Sequence, residues 1–206
     1  MKPELDKDNM MTTTRIEINE EMRQARRKVA KNLLWLGIVG MMMLFGGFTS
    51  AYVVRHAKGD WLNFTIPTSF FISTGIIIIS SITMNWAVAA AKKDNFKNLK
   101  LAMICTLLLG LGFVISQYMG WKSLVDQKVY FAGRDSNASG SFFYIITFMH
   151  LLHIFGGLIA LLVCNFKALT EKYSSKDYLG IQLCAIYWHF LDALWIYLFL
   201  FLYLIR

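Results

Sequence analysis

Proline, cysteine and charge are all scarce in this chain. Of 206 residues, two are proline, three are cysteine and 17% are charged. The prolines, Pro3 and Pro67, leave the long stretches between and after them without the residue that breaks helices. Cys105, Cys164 and Cys184 are odd in number, dispersed and set among apolar neighbours, which argues against a disulfide framework and against a thiolate metal site. They read as small apolar fillers. Histidine is nearly as rare, with four in all. The low charge, set beside a hydrophobic content of 56%, excludes an ordinary soluble domain of this size.

The apolar residues are gathered into five runs, 33–54, 68–91, 101–121, 141–166 and 179–205, each of 21 residues or more. About 20 residues of helix cross a hydrocarbon core of about 30 Å. Backbone groups in lipid must be bonded within their own segment, so these runs are helices. The expected fold is all-α: a polytopic bundle of five transmembrane helices over 32–206, preceded by a basic tail over 1–31. The tail has no short apolar region with a cleavage site, so the first span is expected to act as its own insertion signal.

Basic residues set the expected orientation. Fifteen fall in the tail and in 92–100 and 167–179, against six in 55–67, 122–140 and at Arg206. The positive-inside rule places the N-terminus in the cytoplasm and the C-terminus outside. The net charge of +8 is thus mostly a topology signal, and no nucleic-acid partner is expected. Residues 1–14 show no apolar period and are expected to be mobile. From Arg15 onward a helix is expected, with Arg23, Arg26, Arg27, Lys28 and Lys31 placed to meet anionic lipid heads at about 1 kcal/mol each.

Small residues mark expected helix packing: Gly37, Gly40, Gly46 and Gly47 in the first span, and Gly156 with Ala160 in the fourth. Gln117, one turn from the outer end of the third span, is expected to bond a neighbouring helix. Asn137-Ala138-Ser139 spells a glycosylation sequon, too short a pattern to carry weight.

The last run holds Tyr187–Trp195, YWHFLDALW, with Asp192 near the middle of a span. A carboxylate there costs roughly 2.5–3.5 kcal/mol on insertion scales, so it must face protein or water. Trp188, His189 and Trp195 lie three or four residues from it, on one side of a helix. His150 and His153 sit in the preceding span, with His150 about 13 Å below its outer end. The candidate polar network is therefore His150, His153, Tyr187, Trp188, His189, Asp192 and Trp195, joining helices four and five. Three readings are open. A bis-histidine haem would take one ligand from each helix. A proton path would need titratable groups leading to both surfaces. A hydrogen-bonded seam needs only that the helices pack, and is the simplest.

Two segments resemble a known family. Gly140-Ser141-Phe142-Phe143 with Phe148-Met149-His150-Leu151-Leu152-His153 is similar to a "GS-x-F … FHGLHV" segment, and Tyr187–Trp195 to the signature "YWHFVDVVW". Both belong to subunit III of haem–copper oxidases, cytochrome c oxidase above all. Weaker similarity reaches back to about Gly40 and includes Thr68-Ser69 to Gly75, so the resemblance covers the five spans and looks like the family's five-helix form. Met41, Gln117 and Gln182 stand where the family commonly has glutamates.

The resemblance implies an accessory subunit of a proton-pumping terminal oxidase. It implies no active site, no metal and no redox centre in this chain, the haem and copper being held by partner subunits. Subunit I is the main implied partner, with subunit II and other respiratory-complex subunits. Membrane lipids, phospholipid among them, are further implied partners. The implied location is a cell inner membrane, bacterial rather than mitochondrial. A quinol oxidase subunit III is the alternative within the family. A free-standing transporter or b-type cytochrome is the alternative outside it.

Overall fold

Five helices follow one another: α1 (Pro3–His56), α2 (Thr68–Lys92), α3 (Phe96–Asp126), α4 (Ala138–Leu169) and α5 (Leu179–Leu204). The computed structural model describes residues 3–59, 61–62, 64–133, 136–170, 173 and 178–205, with side chains from residue 15 onward apart from 16 and 19. Among these residues there is no strand, and all five helices are long and apolar enough to cross a membrane. The five expected spans each lie within a helix, save that the fifth runs one residue past the end of α5. Backbone from Pro3 is already helical, although 1–14 shows no apolar period, so the tail and the first span form one helix. Proline suits a first helical turn, where its missing N–H has no partner to lose, and no glycine or proline interrupts 4–36.

The chain divides into two compact units, Met1–Val39 and Gly40–Arg206. In the second, α2, α3, α4 and α5 form a closed ring of neighbours: α2 packs on α3 and α5, and α4 packs on α3 and α5. The part of α1 in this unit adds to it through large side chains. Tyr52 meets Phe142 of α4 and Phe201 of α5 edge-on, at ring-centre distances of 6.1 and 5.2 Å. Thr49 accepts a hydrogen bond from the Tyr197 hydroxyl at 3.3 Å.

Local chemistry sets the helix ends. Pro67 precedes α2 with φ −58° and ψ 144°, the extended shape proline favours. Asp94 takes φ 51° and lets Asn95 N–H bond Ala90 C=O at 3.1 Å, closing α2 and turning the chain straight into α3. Asn95 then caps α3 by accepting from Asn98 N–H at 3.2 Å. Asn137 caps α4, accepting from Ser139 N–H at 3.1 Å, which gives the sequon-like triplet a structural purpose.

Close helix approach occurs at glycines other than those expected. Among the described residues a Cβ at Gly40, Gly46 or Gly47 would meet nothing within 4 Å, nor would one at Gly37 within its own unit, so no close helix approach is seen at these positions. At Gly156 the nearest atom would be the Tyr187 hydroxyl at 3.6 Å, an ordinary contact. Tight helix contacts fall at Gly110 on α3, where a Cβ would lie 2.8 Å from the Trp188 ring, at Gly120 on α3, 2.7 Å from the Phe70 ring of α2, and at Gly157 on α4, 3.1 Å from both Trp188 and Leu191. Gly110→Ala should therefore destabilise the bundle by about 1–3 kcal/mol through overpacking. Gly112→Ala, whose Cβ would meet only Ile76 at 4.0 Å, should be near neutral. Thermal unfolding of the two variants in one detergent checks the contrast, and equal midpoints would refute it.

Candidate functional site

The YWHFLDALW segment lies on α5 and turns most of its polar atoms toward α2. Trp188 is fully buried and donates its indole N–H to Ser80 Oγ at 3.0 Å. Trp195 donates to Thr74 Oγ1, also at 3.0 Å. His189 Nδ1 lies 2.7 Å from Ser81 Oγ, and its Nε2 lies 3.2 Å from Asn85 Oδ1. Partner numbers rise along α2 as they fall along α5, the signature of antiparallel helices held by a ladder. In the neutral ring one of these nitrogens donates its N–H and the other accepts, so both are taken up by partners on α2.

Asp192 faces protein, with its side chain only 5% exposed. Among the described residues neither of its carboxyl oxygens has a hydrogen-bond partner. The nearest ring nitrogen, His189 Nδ1, stands 3.9 Å away and is paired with Ser81. Asp192 thus borders the ladder beside the Ser81 hydroxyl.

The helix-four histidines make no hydrogen bond to this ladder among the described residues. His150 is fully buried, stacked on the Trp195 ring at 5.2 Å and met edge-on by Phe45 at 6.2 Å and Phe113 at 6.0 Å. Neither of its ring nitrogens has a partner among the described residues. His153 turns back on its own helix, Nδ1 lying 2.7 Å from Met149 C=O, with its ring against Phe45 at 5.6 Å. Tyr187 bonds across α4 and α5, donating to His153 C=O at 3.2 Å. Of the seven residues expected in one seam, Trp188, His189 and Trp195 are brought together on α2, with Asp192 beside them. Tyr187 and His153 form a separate contact, and His150 sits in an aromatic box.

This geometry does not suit a haem between α4 and α5. Both His189 nitrogens are engaged, and aromatic rings cover His150 on three sides. Among the described residues no group of three or more His, Cys, Asp or Glu gathers as a metal site.

Thr74, Ser80, Ser81 and Asn85 were missed by sequence reasoning. Their signal was polar residues recurring in an otherwise apolar run. A second polar seam joins α2 to α3: Gln117 Nε2 donates to Ser73 Oγ at 2.8 Å, Ser116 Oγ to Ser69 C=O at 2.8 Å, and Thr83 meets Thr106 at 2.8 Å. Near the start of α4 a cavity of about 370 Å³ is lined by Trp121, Phe131, Tyr144, Ile145, Phe148 and Met149. Its lining is hydrocarbon throughout, because the Trp121 N–H goes to Thr147 and the Tyr144 hydroxyl to Val129 C=O.

The ladder has a measurable weight. Trp188→Phe and Ser80→Ala should each lower stability by about 0.6–1.7 kcal/mol, the range for hydrogen bonds between membrane helices, and the double variant should lose less than the sum. Asp192→Leu should cost less than either, since its carboxyl reaches the ladder only through the neighbouring Ser81 hydroxyl. Unfolding of the four variants in matched micelles decides this, and strict additivity would count against the bond.

The description "Cytochrome c oxidase subunit III" belongs to the family model that matches residues 62–205, which takes in α2 to α5 and the whole ladder. A probable cytochrome c oxidase subunit 3 of Nocardia farcinica (strain IFM 10152) is 32% identical over 184 residues, covering 84% of this chain and 86% of the relative. The corresponding protein of Mycobacterium tuberculosis (strain ATCC 25618 / H37Rv) is 30% identical over the same shares. Cytochrome c oxidase subunit 3 of Rattus norvegicus is 30% identical over 182 residues, 82% of this chain and 66% of the relative. With a matched model spanning most of its length and five membrane-length helices, the chain belongs to the cytochrome c oxidase subunit III family.

Proposed function

We propose that this chain is an accessory subunit of a proton-pumping terminal oxidase, contributing structure and lipid contacts rather than redox ligands. The observation that carries the proposal is how the polar side chains of the spans are used. His189, Trp188, Trp195, Gln117 and the α2 hydroxyls are spent on bonds between helices. Of the two imidazoles on α4, His150 is enclosed by aromatic rings and His153 turns back on its own helix. On this reading haem and copper reside in subunits I and II, subunit I is the surface on which this chain packs, and its effect on proton uptake is exerted through that partner.

Lipid contact has two supports. The hydrocarbon-lined cavity between α3 and α4 fits an acyl chain, since it offers a ligand no polar atom. Arg23, Arg26, Lys28 and Lys31 are exposed and Arg27 half-buried, next to the first span, where each basic group attracts anionic lipid heads. The seat proposed is a bacterial cytoplasmic membrane, supported by the Nocardia and Mycobacterium relatives.

An affinity tag on the chain should bring down haem- and copper-bearing subunits, and the separated chain should hold no stoichiometric iron or copper. Oxidase depleted of it should still transfer electrons, but should lose activity faster during turnover. Haem bands from the isolated polypeptide would overturn the proposal.

The orientation proposed from the fifteen-to-six split of basic residues is N-terminus in the cytoplasm. Reporter fusions at the N-terminus and in 92–100 should report a cytoplasmic location, and fusions in 122–137 the opposite face. The reverse pattern would reject it.

A further inference from the structure

From Glu4 to Leu36 the first unit is one helix with no glycine or proline, so it has no residue that commonly kinks a helix. Its turns from Leu33 onward begin the first span, and the turns before must leave along the same axis. At 1.5 Å per residue Ile18 stands about 22 Å from Leu33. Headgroup layers are only about 5–8 Å thick on each side, so a membrane cannot cover that part of the helix.

The exposed stretch nevertheless carries an apolar seam. Ile18, Met22, Ala25, Val29 and Leu36 recur at steps of four, three, four and seven, with Asn32 at the intermediate position. Ile18, Met22, Val29 and Leu36 are 51, 53, 57 and 70% exposed. A repeat averaging 3.5 residues is the seam of two supercoiled helices, with Met22, Val29 and Leu36 at a positions and Ile18, Ala25 and Asn32 at d. One polar residue in such a seam specifies register at some cost in stability.

The flanks select the partner. Glu21 falls at g and Arg26 at e, both exposed. In a parallel pair of identical helices, g of one chain faces e of the next heptad in the other, so Glu21 meets Arg26 twice by symmetry. An antiparallel pair would set Glu21 against Glu21 and Arg26 against Arg26. Copies inserted in one membrane with one orientation are necessarily parallel. We propose that residues 18–36 pair with the same segment of a second copy in a parallel two-stranded coiled coil, giving this chain a dimerisation element that begins outside the bilayer and ends in the first turn of the first span.

Thiol cross-linking of the full chain in native membranes tests this, with the native-cysteine chain as background. Ala25→Cys, at a d position, should give a disulfide-linked dimer of this chain, whereas Gln24→Cys, on the outer face, should not. Adding Glu21→Arg to Ala25→Cys should cut dimer yield about tenfold, through two repulsive pairs, and adding Arg26→Glu as well should restore it. The proposal fails if both cysteines cross-link equally, if Ala25→Cys links instead to a different polypeptide or is shielded in lipid, or if the charge swap does not rescue the yield.

Discussion

The four-helix ring of the larger unit depends on the seating of one side chain, Trp188. Its indole starts on α5, lies over Gly110 of α3 and Gly157 of α4, and ends with its N–H on Ser80 of α2. In lipid there is no hydrophobic drive to press helices together, so packing and hydrogen bonds must hold the bundle. A bulky aromatic with one donor answers both needs. Its ring fills the space that two absent side chains leave, and its only polar atom finds an acceptor. Each glycine is required because the ring is there, and the ring can be there because each glycine is.

Around this pin the polar atoms sort by helix pair. The α2–α5 and α2–α3 faces carry ladders of hydroxyl, amide and imidazole groups. Contacts between α4 and α5 are mostly apolar, with Tyr187 and Cys164 reaching backbone carbonyls at 3.2 and 3.6 Å. Both α2 and α3 therefore meet two neighbours through side-chain bonds, α3 reaching α4 through Trp121 N–H on Thr147 and receiving Asn165 on Met103 C=O, although the sequence of α2 looks the plainest. Serine and threonine suit this work, since they are small enough for close helices and each can donate and accept at once.

The spans were legible because length and apolarity alone decide them, and Gln117 was legible because an amide in lipid must find a partner. The partner of the YWHFLDALW segment was not legible. His150 and His189 lie at similar depths, which suggested a shared seam, but depth says nothing of azimuth. Each residue turns the helix by about 100°, so an unobserved rotation sends His189 to α2 and leaves His150 among rings. The glycines show the same limit. Gly156 has the spacing that a motif search favours, yet Gly157, one position on, faces Trp188. The family resemblance was legible from the same segment because a string of side chains can be matched without knowing where each one points.

Gln117, where the resemblance sets a glutamate, acquires a physical sense from the α2–α3 seam. Ser73 Oγ donates to Phe70 C=O at 2.9 Å, so its proton is already used. What Ser73 can still do is accept, and Gln117 Nε2 donates to it at 2.8 Å. An ionised glutamate at 117 has no hydrogen to give and would set two acceptors against each other in a site where Gln117 is only 1% exposed. A carboxyl there would have to be protonated to replace the bond, whereas the amide makes it as it stands. The substitution therefore belongs with the serine it faces: a neutral donor completes a neutral chain of bonds from α3 to the backbone of α2.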